Sequence, residues 1–127
     1  MIVTTIEGLL AMKPILQKLA NTSMPARDAF KILKTLKLVD KEYESIELVQ
    51  RKMIDSYGAR NEDNTFITDE RGNIVIKQES IDQYMAEMQN FFKETIELNC
   101  DKLKFELIDS IELTPAQMLN IEEFMEE

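Results

Sequence analysis

From Ala29 to Tyr57 the residues Ala29, Ile32, Leu36, Val39, Tyr43, Ile46, Gln50, Met53 and Tyr57 recur at alternating spacings of three and four, and only Gln50 is polar. That period belongs to a helix that buries one stripe. After Pro25, which suits a first helical turn, no Gly or Pro interrupts the run, and Gly58 stands where a left-handed C-terminal cap is wanted. The spacing predicts one helix over 25–57, roughly 50 Å long at 1.5 Å per residue. The whole chain has 127 residues, the size of one domain, so this helix must dominate it.

The flanking segments are organised around it. A helix is expected over Thr5 to Ala20, within an N-terminal region 1–23: Thr5 caps it, Ile6, Leu9, Leu10, Leu16 and Leu19 form its apolar face, and Pro14 kinks it. An N-terminal strand at Ile2 and Val3 is an alternative start. Residues 64–77 read as a β-hairpin with its turn over Asp69 to Gly72, since the arms are rich in β-branched residues and Gly72 supplies positive φ. A second long helix is expected over 80–98 from Ile81, Tyr84, Met88, Phe91, Thr95 and Leu98. Adjacent Phe91 and Phe92 cannot both face one narrow seam. Leu103, Phe105 and Leu107 alternate with charged residues as in a strand, and Thr114, Pro115 and Gln117 announce a last helix docked by Met118, Leu119, Ile121 and Phe124 within 102–127. No internal repeat is apparent. The fold expected is α+β and mainly helical: a long antiparallel helical pair, a β-hairpin at its tip, and a small C-terminal β element with short helices, all in a single domain over 1–127.

Composition narrows the chemistry. The chain lacks histidine, the commonest general base near neutral pH and the commonest zinc ligand. Its single cysteine, Cys100, cannot form an internal disulfide, and Asp101 beside it opposes a reactive thiolate. The run NEDNTFITDE offers oxygen ligands but lacks the spacing and central glycine of a calcium loop, and Gly8, Gly58 and Gly72 are too scattered for a phosphate cradle. No enzyme, metal site or cofactor is expected. Neither a membrane-spanning run nor a basic leader ahead of an apolar stretch is present in the sequence, which points to the cytoplasm.

Charge is the informative quantity. The net charge is −9, and residues 1–60 sum to +3 while 61–127 sum to −12. General nucleic-acid binding is therefore not expected. On the long helix Arg27, Lys31, Lys34, Lys37 and Lys41 recur at helical spacings on the face opposite the apolar seam, a stripe about 20 Å long. They are the candidate binding residues, for a nucleotide, a nucleic-acid backbone or an acidic protein surface; a merely solvated helix face is the alternative. No aromatic residue is expected to interleave them, so a single-strand stacking platform is not predicted. An acidic surface of Glu62, Asp63, Asp69, Glu70, Glu79, Asp82, Glu87, Glu94 and Glu97 is the opposite candidate, a charged face that could occupy a partner's nucleic-acid channel or serve solubility alone.

The segments MPARDAFKILKTLKLVDKEYESI, DERGNIVI and IELTPAQMLNIEEFMEE together resemble a family of small proteins of unknown function encoded by tailed phages and prophages of Gram-positive bacteria. Pro25, Ala26, Ala29, Thr114 and Pro115 are the sharpest points of the resemblance, which runs from Met24 onward. It implies a phage origin and supplies no catalytic residues. The function expected is a non-enzymatic interaction protein that binds and inhibits a host or defence component in the bacterial cytoplasm, with a host or phage protein as partner. A structural component of the virion and a homo-oligomeric sponge for small anionic nucleotides are the alternatives. The seam of the long helix exceeds what a shorter partner helix covers, so self-association is expected.

Overall fold

The computed structural model describes residues 1–126. The fold is α+β and mainly helical, with one two-stranded antiparallel sheet. It divides into two compact units, Met1–Glu44 with Lys93–Glu127, and Ser45–Phe92.

In the first unit, strand β1 (Ile2–Thr5) leads directly into helix α1 (Ile6–Ala20). Thr5 ends the strand and caps the helix, its Oγ1 accepting from the Gly8 N–H at 3.0 Å. Ile6, Leu9, Met12, Ile15, Leu16 and Leu19 are buried along one face, which makes α1 the centre of the core. The N-terminal strand thus exists together with the helix. Its partner is β2 (Thr95–Leu98), paired antiparallel in the register Ile2 to Leu98 and Thr5 to Thr95. This corrects the expected second long helix over 80–98. Thr95 and Leu98 keep the three-four phase of a helix, but Thr95 and Ile96 are β-branched and the unpaired edge of β1 claims them.

Helix α2 (Ala26–Tyr57) is a single uninterrupted helix of 32 residues, close to the expected 25–57. Within the first unit its Ile32, Thr35 and Val39 are buried, and Leu36 and Tyr43 are half-buried. Lys13 of α1 lies 3.5 Å from Asp40 and 3.6 Å from the centroid of the Tyr43 ring.

The C-terminal segment departs from the expected strand. Only Leu103 pairs, in a parallel bridge to Met125 closed by Leu103 N–H to Phe124 O (2.7 Å) and Glu126 N–H to Leu103 O (2.8 Å). Residues Phe105–Ser110 then form a 3-10 helix, with Leu107 and Ile108 buried and Phe105 exposed. The alternation at 103, 105 and 107 was therefore not a buried face. Helix α4 (Pro115–Ile121) starts on a full capping box, Thr114 accepting from Gln117 N–H and Gln117 accepting from Thr114 N–H. It packs on α1, and the following 3-10 turn (Glu122–Phe124) buries Phe124 beside Ile121. Leu119, expected to dock, points outward because Ile121 takes the core.

The second unit holds residues 45–57 of α2, a compact β element, a 3-10 turn (Gln78–Ser80) and helix α3 (Ile81–Phe92). The expected hairpin over 64–77 is present, since Thr68 pairs with Ile74 and Gly72 has φ +82°. A third arm completes it. Ala59 N–H donates to Val75 O (2.7 Å), Val75 N–H to Ile67 O (2.9 Å) and Ile67 N–H to Ala59 O (2.9 Å), which closes a ring. Around it Asn61, Asp69 and Lys77 each donate N–H at 2.8 Å to the carbonyls of Thr65, Asn73 and Tyr57. Every role recurs eight residues later, so the backbone repeats even though residue identities do not. Three segments that are each antiparallel to both others cannot lie along one axis, so the arms splay about a pseudo-threefold centre and no arm presents a free edge there.

The two connecting turns are built alike. Asn64 N–H returns to Asn61 O and Gly72 N–H to Asp69 O, both at 3.0 Å, with Asn64 (φ 70°) and Gly72 in the left-handed region. Gly58 does not provide the left-handed cap expected of it, since among the described residues positive φ occurs at Asn64 and Gly72 and not at Gly58. It is glycine because Phe66 leaves no room: a Cβ would lie 2.7 Å from the ring. Phe91 and Phe92 are both half-buried, with ring centroids 6.1 Å apart.

A basic groove in the first unit

Three of the five stripe residues, Arg27, Lys31 and Lys34, line a groove of about 230 Å³, and Lys102 and Lys104 line it from a different part of the chain. The helix supplies the first three because spacings of four and three keep them on one face. The second pair is positioned by the parallel bridge at Leu103, which fixes the backbone between the two lysines. Asp28 and Asp101 also line the groove, so its charged lining sums to +3. Its apolar lining is Phe30, Leu103 and Leu107, and the buried Thr35 hydroxyl is committed to Lys31 O at 3.1 Å.

The five ammonium and guanidinium groups are solvent-exposed, and gathered around one apolar-floored concavity their fields add to favour an anionic group more than a single cation does. Lys37 and Lys41 are exposed and do not line the groove, so the stripe is divided. Phe30 corrects a second expectation. It is 66% exposed, and at 100° per residue it falls between Lys34 and Lys37 on the helix surface, so an aromatic ring does interleave the stripe. Helical arithmetic on the sequence was sufficient to find it. Nothing in the sequence pointed to Lys102 and Lys104, which lie about seventy positions from the stripe.

Cys100 is half-buried and lines the same groove. The proposed acidic face is spread over two units, with Glu94 and Glu97 in the first and the other seven in the second. Two of those seven are turn formers: Asp63 accepts from Thr65 N–H and Oγ1, and Asp69 from the N–H groups of Arg71 and Asn73. The Thr65 contacts hold the Asp63 carboxyl below its ordinary value. Among the described residues no group of acids and cysteine is placed to hold a metal ion, and no helix is long and apolar enough to cross a membrane.

Comparison with known proteins finds no matching family model, no matching curated protein and no matching solved structure. The resemblance to phage proteins rests on the sequence segments quoted above.

Proposed function

We propose that the chain is a non-enzymatic, phage-encoded interaction protein that binds an acidic segment of a host or defence protein in the basic groove and inhibits it in the bacterial cytoplasm. The observation that carries this reading is the convergence of Arg27, Lys31 and Lys34 with Lys102 and Lys104 around one apolar-floored concavity. At about 230 Å³ the groove is smaller than the roughly 300–1,000 Å³ of small-molecule sites, and it suits one or two side chains of a protein partner.

The test is an NMR titration of the labelled chain with a glutamate-rich peptide carrying interspersed leucines. Amide shifts at residues 27–34 together with 102–104 support the groove. Their absence, or shifts at only one of the two segments, rejects it.

A second reading is a sponge for small anionic nucleotides, and the exposed Phe30 ring beside Lys31 and Lys34 favours it as a stacking surface. Calorimetric titration with a panel of mono- and cyclic nucleotides checks this, and absence of heat from every member rejects it.

A further inference from the structure

Beyond Phe30, which lines the edge of the basic groove, the solvent face of α2 in the first unit carries Leu33 at 46% exposure and the exposed Lys37 and Lys41. Among the described residues no acid pairs with Lys37 or Lys41. This is an apolar pair of side chains with a basic border.

The same unit carries the opposite surface. A shallow groove of about 680 Å³ is lined by Phe105, Pro115, Met118 and Leu119, and by Glu122, Glu123 and Glu126. Phe105 is 56% exposed and Leu119 71% exposed. The patch is rigidly supported: the capping box fixes the start of α4, and Ile121 and Phe124 anchor its end in the core. Large apolar side chains on a fixed scaffold with a charged rim have the anatomy of a protein interface.

We propose that these two patches are the halves of one interface, through which two copies of the chain associate about a twofold axis. Phe30 and Leu33 of each copy enter the other's groove at Leu119 and Phe105, while Lys37 and Lys41 meet Glu122, Glu123 and Glu126. The occupant is a second copy because this chain itself supplies the basic, apolar face that the acid-rimmed groove fits. Phe30 lines the basic groove, and Lys102 lines both that groove and the acid-rimmed one, so the two patches lie on the same unit with the basic groove bordering each of them. Association in this form leaves no open ends.

The test is sedimentation equilibrium of the full chain, with variants that keep Arg27, Lys31, Lys34, Lys102 and Lys104 in place. Failure of this interface is therefore separable from failure of the basic groove. A dimer is expected, weakening roughly tenfold as salt rises from about 0.1 M to about 1 M. Leu119→Asp, at an exposed site, should give a monomer with an unchanged far-ultraviolet circular dichroism spectrum. Lys37→Glu with Lys41→Glu, and separately Glu122→Lys with Glu123→Lys, should each yield monomers, and an equimolar mixture of the two reversed chains should recover a heterodimer. A wild-type monomer, open-ended polymers, or a dimer indifferent to both reversals would overturn the proposal.

Discussion

Gly58 and Phe66 approach so closely that a methyl group on Gly58 would lie 2.7 Å from the phenylalanine ring, and equally close to the Ile54 carbonyl. This contact joins the end of α2 to the second arm of the β ring. Gly58→Ala must move the ring or the helix end, and should destabilise the second unit by about 1–3 kcal/mol. Urea unfolding followed at Tyr57 and Tyr84, whose rings meet edge to face at 6.0 Å, reads that unit directly. An unchanged midpoint would show that the contact is not limiting.

The eightfold spacing of Asn64 and Gly72 makes a second prediction. Both sit in the left-handed region at the same point of equivalent turns, and an added Cβ at Gly72 meets no atom within 4 Å. Gly72→Asn should therefore cost little, because Asn64 already does the same task, whereas Gly72→Val should cost about 1–2 kcal/mol. Equal losses from the two would contradict the equivalence of the turns.

In the first unit, Thr114→Ala removes the capping hydroxyl of α4 and should lower stability by about 1 kcal/mol. Phe124→Ala, which empties a fully buried site, should cost about 3–5 kcal/mol. Thermal melts of the two variants should rank in that order, and the reverse ranking would mean that α4 is held by its cap more than by its core anchor.

Two titrations report on the second unit. The Tyr57 phenol is held above its ordinary pKa of 10.0, first by its hydrogen bond to the Glu87 carboxylate, then by burial and by the charge of Glu87. The neutral phenol is favoured in the fold, so this contribution is present at neutral pH and is lost as pH rises through the raised value. Asp63 has the opposite sign: its contribution is present above the ordinary 3.8 and is lost as pH falls through the lowered value. Ultraviolet titration of Tyr57 against Glu87→Gln should show a lower midpoint in the variant. Carboxyl NMR should show Asp63 titrating below free aspartate, and Thr65→Val, which removes the hydroxyl donor and keeps the N–H donor, should bring it part of the way back up.

The sequence was legible where local physics decides. Nine positions at helical spacing defined α2, and Thr5 and Thr114 marked two helix starts through their own hydroxyls. It was illegible where a distant partner decides. Thr95–Leu98 kept helical phase and became a strand because Ile2–Thr5, ninety or more positions away, needed a neighbour. The β ring repeats backbone roles across Gly58, Phe66 and Ile74, three different residues of which Gly58 has no side chain, so no repeat of identity announced it. At the basic groove, Arg27, Lys31 and Lys34 followed from spacing alone, while Lys102 and Lys104 depended on the bridge between Leu103 and Met125.

Quantitative mass spectrometry of a tagged chain recovered during phage infection, with purified particles from the same culture, tests the central claim most directly. The groove account predicts one stoichiometric, salt-sensitive host protein. That protein should be lost when Arg27, Lys31 and Lys34 are reversed to Glu, and lost again when only Lys102 and Lys104 are reversed, with the chain itself absent from washed particles. Equal recovery by the reversed and native chains, or a fixed copy number in particles, would contradict it.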